Sequence, residues 1–467
     1  MIPSNGLLTT APIRTQTGSV PMLKVCAYVN SPEELEKANS ADLITVSDET
    51  YRQLNCEPCM PVIVKVNTVD EATAMAGKKW NGYLDIGELP KPSTNVPVIS
   101  SVYDELRTMS SQEIVEKMNG FDCDIAVGTF MVNRPADLVS IMDASALIQR
   151  KHVLVGLGEM GSITRYRSKL LGNEFDYAHV GTPMYYGQMS VDELRSADSD
   201  SLIIGLVGHP LSQSASKRMH TQALKDAGIN GHYINFDTVS LEGLDDVIRD
   251  YNIKGLNVTI PYKDDILAYV DVVDQSAKNT GAASMIVNTG DRLIGSNTDV
   301  DGARFALERA GIEIEVGMKI LVIGSGGVAM ACCYLFTAEG AEVTIISRNP
   351  KTAQQLCKKF GCEYTDSTDP SEYDMIVNCS PIGMYAEEKY PIDLTKIRTE
   401  QIIFDVVYTK ETQLECVGAE RGCKIVPGLD MLIGQGMRAF EVWTGQKPSY
   451  ESMRYSLVGD SGRMNIS

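Results

Sequence analysis

Long apolar runs are missing from this 467-residue sequence. No stretch reaches the roughly 18 apolar residues that a membrane-spanning helix needs, which excludes such a span. Basic clusters are missing too: the net charge is −19, which makes nucleic acid and anionic membranes poor partners. The first residues lack a charged region followed by an apolar one. This predicts that there is no signal peptide and that the protein is cytoplasmic.

Paired cysteine motifs are also scarce among the eleven cysteines. Most of them lie singly in strand-like or helix-like segments, as expected for buried free thiols in a reducing compartment. Cys56 and Cys59 have the spacing of a metal or redox pair, but no second pair lies nearby, so we interpret them as a coincidence. We therefore expect no metal site.

Residues 20–200 alternate short apolar runs with amphipathic stretches. Eight strand-like runs and intervening helical segments over this length predict a (β/α)8 barrel. A doubly wound sheet is the alternative, because periodicity alone does not separate the two. The eight runs are residues 22–29, 42–47, 61–66, 82–87, 96–102, 123–130, 152–156 and 177–181.

A second α/β region follows from residue 201 and contains a glycine-rich turn. The apolar strand 320–323 leads into Gly324, Ser325, Gly326 and Gly327, and a helix of small residues starts there with Val328. Such a turn lets the backbone approach a pyrophosphate that faces the helix N-terminus. Because the required strand and helix flank it, the turn predicts a Rossmann-like dinucleotide-binding domain.

The next strand favours NADP as the cofactor. It ends in Ser347, Arg348 and Asn349, where an NAD site usually carries an acidic residue. A guanidinium suits a 2′-phosphate instead. The alternative is an ordinary exposed arginine at a strand end.

Polar residues cluster at three strand ends between residues 205 and 305. Lys263 and Asp299 together can move a proton while a hydride leaves or reaches carbon. Taken singly, a lysine after a strand is usually solvated, and an aspartate before a helix is usually an N-cap. The three clusters are Ser214 with Ser216, Asn257 with Thr259 and Lys263, and Asn297 with Thr298 and Asp299.

Residues 201–460 resemble shikimate dehydrogenase in NVTIPYK, SNTD, GSGG, NCSPIGM, FDVVY and GLDMLIGQGMRAFEVWTG. The resemblance implies reduction of 3-dehydroshikimate with NADPH, and Lys263 and Asp299 as the catalytic pair. The implied substrate-binding residues are Ser214, Ser216, Thr259, Ser284, Asn297, Tyr408 and Gln435. The implied cofactor-binding residues are Gly324, Ser325, Gly326, Gly327, Val328, Ser347, Arg348, Ser380, Gly428 and Met431. Three residues depart from the family pattern: Ser284 replaces an asparagine, Lys217 a proline and Gln213 a histidine.

Residues 20–200 resemble type I 3-dehydroquinate dehydratase in LGEMGSITR and YYGQMSVDEL. This resemblance implies substrate binding by Arg165 and Gln188. However, Val127 stands where the family has its Schiff-base lysine, and Tyr103 stands where it has its catalytic histidine. Only an amine can form the iminium ion. Lys65 is the one candidate for a relocated amine.

Several functional alternatives remain open from the sequence. The barrel is either a lyase with relocated residues or a catalytically impaired scaffold, homodimer contact or ligand sensor. The second region is a shikimate dehydrogenase, a quinate dehydrogenase or, with less support, a nucleotide-sensing regulator. The expected domains are the barrel over residues 1–200, a substrate domain over 201–300 to which 430–460 return, and an NADP domain over 301–429.

Overall fold

The computed structural model describes residues 23–54, 58–185, 187–197, 200–384 and 389–459. The chain divides into two compact units, one formed by Met1–Ser201 with Thr289–Asp291 and the other by Leu202–Asn288 with Arg292–Ser467. Cys56 and the last eight residues lie outside the described residues, so the predicted coincidence of Cys56 with Cys59 stays a prediction. Within the described ranges, no helix is long and apolar enough to cross a membrane.

Eight parallel strands form the sheet of the first unit. From β1 to β7 each strand pairs with the next in chain order, and β1 also pairs with β8. Between β7 and β8 the ring is joined by a hydrogen bond from Glu174 N to His152 O (3.0 Å), and by the Asn173 side chain, which bonds both Leu154 N and Leu154 O (2.8 and 3.0 Å). The strands are β1 Lys24–Tyr28, β2 Leu43–Ser47, β3 Val62–Lys65, β4 Gly82–Asp85, β5 Val98–Asp104, β6 Ile125–Met131, β7 His152–Leu157 and β8 Phe175–His179.

Helices connect most of these strands and cover the outside of the sheet. One apolar cluster, which includes Ile63, Val127 and Val155, fills the interior, and a second packs the helices on the outside. The segment between β4 and β5, where the sequence shows no clear helix, contains none. This unit confirms the predicted (β/α)8 barrel over the doubly wound sheet. Its helices are the 3₁₀ turn Pro32–Ala38, α1 Asp48–Gln53, α2 Val69–Ala76, α3 Ser111–Gly120, α4 Pro135–Leu147, α5 Gly158–Gly161, α6 Ile163–Tyr166 and α7 Val191–Ser196.

The second unit begins with a mixed six-stranded sheet in the order β10-β9-β11-β13-β14-β12. Strand β9 is parallel to both neighbours, whereas β13 is antiparallel to β11 and to β14. The strands are β9 Leu202–Gly208, β10 Gly231–Asp237, β11 Ile253–Val258, β12 Val272–Val273, β13 Met285–Asn288 and β14 Leu293–Ser296. The helices are α8 Ser216–Asp226, α9 Leu244–Asp250, the 3₁₀ turn Asp265–Tyr269, α10 Gln275–Thr280 and α11 Asp299–Arg309.

A second six-stranded sheet follows, parallel throughout, in the order β17-β16-β15-β18-β19-β20. Numbered from its own first strand, this is the 3-2-1-4-5-6 order of dinucleotide-binding folds, which confirms the predicted Rossmann-like domain. The strands are β15 Lys319–Ile323, β16 Glu342–Ile346, β17 Glu363–Thr365, β18 Met375–Asn378, β19 Ile402–Asp405 and β20 Lys424–Pro427. The helices are α12 Gly327–Ala338, α13 Pro350–Phe360, the 3₁₀ turns Pro370–Glu372 and Leu394–Lys396, and α14 Gln413–Glu420.

The last two helices, α15 Gly428–Thr444 and α16 Tyr450–Val458, return to the mixed sheet. Phe440 and Trp443 of α15 share an apolar cluster with β9 and β13 residues. The Trp443 indole also donates to Ile286 O (3.0 Å). A Cβ on Gly255 would lie 2.1 Å from that indole nitrogen, so only glycine fits there.

Candidate active site

A cavity of about 900 Å³ lies in the second unit at the carboxyl ends of the parallel strands of both sheets. Segments that follow β9, β11, β15, β16, β18 and β19 line it. In open α/β sheets ligands bind outside the carboxyl ends of the strands, where the strand order reverses. The cavity therefore occupies the place that the fold favours for a ligand.

Lys263 and Asp299 meet on the wall of this cavity. Lys263 follows β11, and Asp299 is the first residue of α11, directly after β14. The Lys263 Nζ lies 2.5 Å from Asp299 Oδ2, with side-chain exposures of 16% and 5%. The lysine stem also packs on Gly327, where a Cβ would lie 2.9 Å from Lys263 Cδ. The N-cap residue of α11 is Thr298, so Asp299 does not have the N-cap role that an aspartate before a helix usually has.

Five of the seven predicted substrate-binding residues lie on the same wall. Ser216 opens α8 and Ser214 accepts a hydrogen bond from its backbone N–H (3.3 Å). Burial raises the pKa of Tyr408, which keeps its hydroxyl protonated. The five are Ser214, Ser216, Thr259, Tyr408 and Gln435.

Ser284 and Asn297, the other two, are buried at 2% exposure and are not among the lining residues. The Ser284 hydroxyl contacts Thr298 Oγ1 (3.1 Å) and accepts from Thr298 N (2.8 Å). Asn297 donates to Ala282 O (2.9 Å) and accepts from Asp299 N (3.0 Å). Both side chains therefore bind the backbone of the Thr298–Asp299 turn and do not line the cavity.

All ten predicted cofactor-binding residues line the cavity: Gly324, Ser325, Gly326, Gly327, Val328, Ser347, Arg348, Ser380, Gly428 and Met431. Gly324 has φ 119°, and a Cβ there would lie 2.9 Å from Cys379 O, so the turn requires glycine. The Ser325 and Ser347 hydroxyls are 2.9 Å apart. This joins the glycine turn to the end of β16.

Arg348 is exposed at the edge of the cavity and lies beside Asn349 and Thr352, which also line it. An exposed guanidinium next to the glycine turn offers a fork of donors to an anion. Together, the turn, the helix N-terminus and Arg348 fit a phosphorylated dinucleotide.

Asn257 is a wall residue that the sequence placed in a polar cluster but to which it assigned no role. Its Oδ1 accepts from the Tyr233 hydroxyl (2.9 Å). Within the described part of the chain its buried Nδ2 has no hydrogen-bond partner of good geometry. An unsatisfied buried donor on a cavity wall is available to a ligand. Its position near the end of β11, two residues before Thr259, was the signal in the sequence.

In the barrel, Arg165 and Gln188 are buried at 1% and 7% exposure. Arg165 donates to Gly156 O (2.9 Å) and to the Tyr185 hydroxyl (3.1 Å). Among the described residues, Arg165 Nε and Gln188 Nε2 have no partner. Two buried donors are therefore left for an acceptor group, consistent with a polar binding site that follows β7 and β8.

The sequence resemblance places the family's reactive lysine and histidine at Val127 and Tyr103. Val127 on β6 belongs to the apolar interior cluster, and Tyr103 on β5 is 52% exposed. Lys65, the relocated-amine candidate, lies at the end of β3, with its Nζ 3.6 Å from Asp85 Oδ2 and 5.9 Å from the centre of the Tyr28 ring. Asp85 is also held by Ser101 Oγ (2.8 Å). An ion pair thus holds the lysine amine.

The two barrel histidines contact backbone oxygens. His152 contacts the Arg150 and Leu171 carbonyl oxygens (3.0 and 2.8 Å). His179 contacts Gly181 O (2.6 Å). Both rings therefore bind backbone carbonyls. Within the described residues, no group of three or more His, Cys, Asp or Glu side chains is placed to hold a metal ion.

Family models match four parts of the chain. Residues 84–199 match type I 3-dehydroquinase, and residues 206–286 match the shikimate dehydrogenase substrate-binding domain. Residues 319–407 match the coenzyme F420-dependent NADP oxidoreductase model, and residues 428–457 match the shikimate 5′-dehydrogenase C-terminal domain.

Similar proteins cover the second unit. The NADP(+) shikimate dehydrogenase of Methanococcus aeolicus is 35% identical over 277 residues, which are 56% of this chain and 98% of that protein. Among solved structures, the Thermus thermophilus shikimate 5-dehydrogenase in complex with NADP(H) and shikimate is 31% identical, with a TM-score of 0.51 over 55% of this chain and 98% of that one. A Corynebacterium glutamicum quinate dehydrogenase in complex with NAD is 28% identical, with a TM-score of 0.51 over 55% and 98%. The chain belongs to the shikimate dehydrogenase family, and a type I 3-dehydroquinase domain precedes its dehydrogenase part.

Proposed function

We propose that this protein is an NADP-dependent shikimate dehydrogenase of chorismate and aromatic amino acid biosynthesis that interconverts 3-dehydroshikimate and shikimate. The contact between Lys263 and Asp299 on the cavity wall carries the proposal, because an amine held by a carboxylate can donate a proton to a carbonyl oxygen or remove one from a hydroxyl group. The curated relatives, which are NADP(+) shikimate dehydrogenases almost entirely covered by this chain, support it.

In the reductive direction, Lys263 would donate its proton to the 3-keto oxygen as the carbonyl π bond breaks and the O–H bond forms. Asp299, 2.5 Å from the amine, would hold the ammonium in place. Bound NADPH would supply the hydride. In the oxidative direction the neutral amine would remove the hydroxyl proton.

Around this pair, we assign the substrate carboxylate to Ser214 and Ser216, with Tyr408 nearby. The ring hydroxyls would be bound by Thr259, Gln435, Asp299 and the Asn257 Nδ2, all on the wall. Many fixed hydrogen bonds to one polar ring give strong discrimination, since a missing partner leaves a buried group unpaired. Ser284 and Asn297 would act indirectly, through the Thr298–Asp299 turn.

The cofactor would be held by the glycine turn, Ser325 and Ser347, with Arg348 on the 2′-phosphate. The open space at Gly326, where an added Cβ would meet nothing within 4 Å, supports a close backbone approach by the pyrophosphate. Quinate with NAD is the second candidate, because a quinate dehydrogenase in complex with NAD is among the similar structures.

A steady-state assay of shikimate and quinate, each with NADP and NAD, tests the assignment. We expect the highest kcat/KM for shikimate with NADP. Preference for quinate with NAD would show that the proposed substrate and cofactor are wrong. Inactivity with all four combinations would refute the proposed dehydrogenase activity.

We further propose that the barrel has lost 3-dehydroquinate dehydratase activity and acts as a scaffold, a ligand-binding module or a homodimer contact. The apolar packing of Val127 supports this, because a valine cannot form the iminium ion that acidifies the substrate α-carbon. Under the same proposal, residues 1–200 form this module, 201–300 with 430–460 form the substrate domain, and 301–429 form the NADP domain.

Borohydride reduction in the presence of 3-dehydroquinate tests the loss. We expect no stable adduct by intact-mass analysis, whereas a mass increase located on any lysine of residues 1–200 would refute it. Lys65→Ala is the informative variant, because it removes the one amine near the end of β3 that a relocated site would use.

A further inference from the structure

A buried polar cluster behind the cavity wall joins the two loops that follow β18 and β19. Asn378 and Asp405 end these strands and are register partners in the parallel ladder. Both are fully buried, with 0% exposure. Residues 379–382 and 406–409, which directly follow them, line the cavity.

The Asp405 carboxylate is the centre of this cluster. Its Oδ1 accepts from Asn378 Nδ2 (2.9 Å) and from Val407 N (3.0 Å). Its Oδ2 accepts from Thr412 Oγ1 (2.8 Å). One carboxylate therefore connects the end of β18, the loop after β19 and the start of α14.

Asn378 extends this hydrogen-bond network to the loop that follows β18. Its Oδ1 accepts from Ser380 N and Ser380 Oγ (3.2 and 2.6 Å), and its Nδ2 also donates to Ile382 O (2.9 Å). Gly428 packs against the backbone of Asp405, where a Cβ would lie 2.6 Å from Asp405 O. Asp405 does not itself line the cavity, but its carboxylate bonds the wall residue Val407 directly and Ser380 through Asn378.

We propose that Asp405 is a positioning residue for the dinucleotide: through Asn378 and Thr412 it holds the two wall loops in the conformation that binds NADP. This inference rests on the proposed function. Its physical basis is preorganisation, since loops that are already ordered lose less conformational entropy when the ligand binds. The hydrogen bonds to a charged acceptor are also stronger than neutral ones.

The cluster has a pH dependence of its own. Burial raises the pKa of Asp405 to about 6, although the hydrogen bonds from Val407, Thr412 and Asn378 favour its charge. Its titratable neighbours are Cys379 on the loop after β18, Tyr390, and Glu415 on α14, whose pKa burial raises to about 7. When pH falls below about 6, Asp405 gains a proton and loses acceptor capacity, so we expect NADP binding to weaken.

The test is the Kd for NADP, measured calorimetrically on the full-length chain from pH 5 to pH 8. At pH 8 we expect Asp405→Ala to weaken binding about tenfold and Asp405→Asn about threefold, since each loses part of a hydrogen-bonded network. Thr412→Val removes one donor and should match Asp405→Asn, whereas Thr412→Ser keeps the hydroxyl and should match the wild type. Asp374→Asn, which changes a carboxylate just before the opposite end of β18, is the control.

The pH series separates positioning from general stability. Because the 2′-phosphate of NADP titrates in the same range, the informative quantity is the difference between variants. The wild type should lose more affinity below pH 6 than Asp405→Asn does. If Asp405→Ala does not fold, Asp405→Asn and the two Thr412 variants decide.

Binding by the Asp405→Asn and Thr412→Val variants within twofold of the wild type, with an unchanged pH profile, would overturn this inference alone. A wild-type chain that binds no NADP would overturn the proposed function together with it.

Discussion

The barrel and the dehydrogenase unit differ in what they keep of their families' sites. In the barrel, eight strands, an apolar interior and the buried Arg165 are present, and Val127, where the sequence resemblance places the family's amine, packs in that interior. In the second unit, an amine and a carboxylate meet 2.5 Å apart on the wall of a cavity. Strand packing does not depend on the reactive side chains, so a barrel retains its fold after they change.

Arg165 illustrates why a buried polar residue of the barrel is hard to replace. Arg165 is both a donor facing a candidate site and a structural residue, because its guanidinium bonds Gly156 O and the Tyr185 hydroxyl. Removing it would leave buried acceptors unpaired. Val127, by contrast, contributes apolar packing to the barrel interior.

Lys263→Ala should have the largest effect on this comparison. We expect kcat for shikimate oxidation to fall about 10³-fold, because the variant loses proton transfer and charge stabilisation. The Kd for NADP should stay within a factor of about two, as a hydrogen bond to the cofactor is not assigned to this residue. Steady-state kinetics and calorimetry measure the two.

Lys217→Ala, a charge deletion at the start of α8, is the control and should retain its kcat. A large loss of NADP binding in Lys263→Ala would contradict the role that we assign to the amine.

Asp176→Asn should change the pH dependence of barrel stability. Burial raises the pKa of Asp176 to about 6, against the attraction of Arg165. The native barrel therefore holds a proton that the unfolded chain releases near pH 4. Its free energy of unfolding should fall as pH rises from about 4 to 6, by about 3 kcal/mol.

Urea denaturation at pH 4, 5, 6 and 7 measures this fall in the wild type and in Asp176→Asn. The variant lacks the titrating group, so its curve should be flatter by that amount. Parallel curves would mean that Asp176 is ionised throughout the range in the native barrel.

Arg165→Met should have the smallest effect on dehydrogenase turnover. We expect a lower thermal midpoint for the barrel, because the Gly156 and Tyr185 acceptors lose their donor, but a kcat for shikimate within a factor of about two of the wild type. A large fall in kcat while circular dichroism shows a folded barrel would mean that the dehydrogenase depends on the barrel site.

Much of the architecture was predictable because it depends on local pattern. Eight apolar runs became eight strands, and the glycine turn at 324–327 lies between β15 and α12 as predicted. The end of β16 was equally predictable, because the position of Arg348 follows directly from the length of the apolar strand. The absence of a helix between β4 and β5 matches the absence of a helical pattern there.

The site was predictable only in part, because side-chain direction depends on packing between distant segments. Ser284 and Asn297 have suitable chemistry, but their side chains turn to Thr298 and Ala282 behind the cavity wall. Asn257 reached the wall through the register of β11, and no local pattern assigned it a role. In the sequence, Asp405 was recognisable only as part of a family motif, because its hydrogen-bond partners lie at the end of β18 and the start of α14.

The sequence by itself determined the two strand–helix repeats, the dinucleotide turn and the apolar residue at position 127, because each depends on residue type and on short-range periodicity. Only the tertiary structure decided between barrel and open sheet for the first unit, since that choice is made by the bonds between β1 and β8 and around Asn173. It also decided that Lys263 and Asp299, 36 residues apart, touch. Contact between distant residues follows from how elements pack, which no local stretch of sequence encodes.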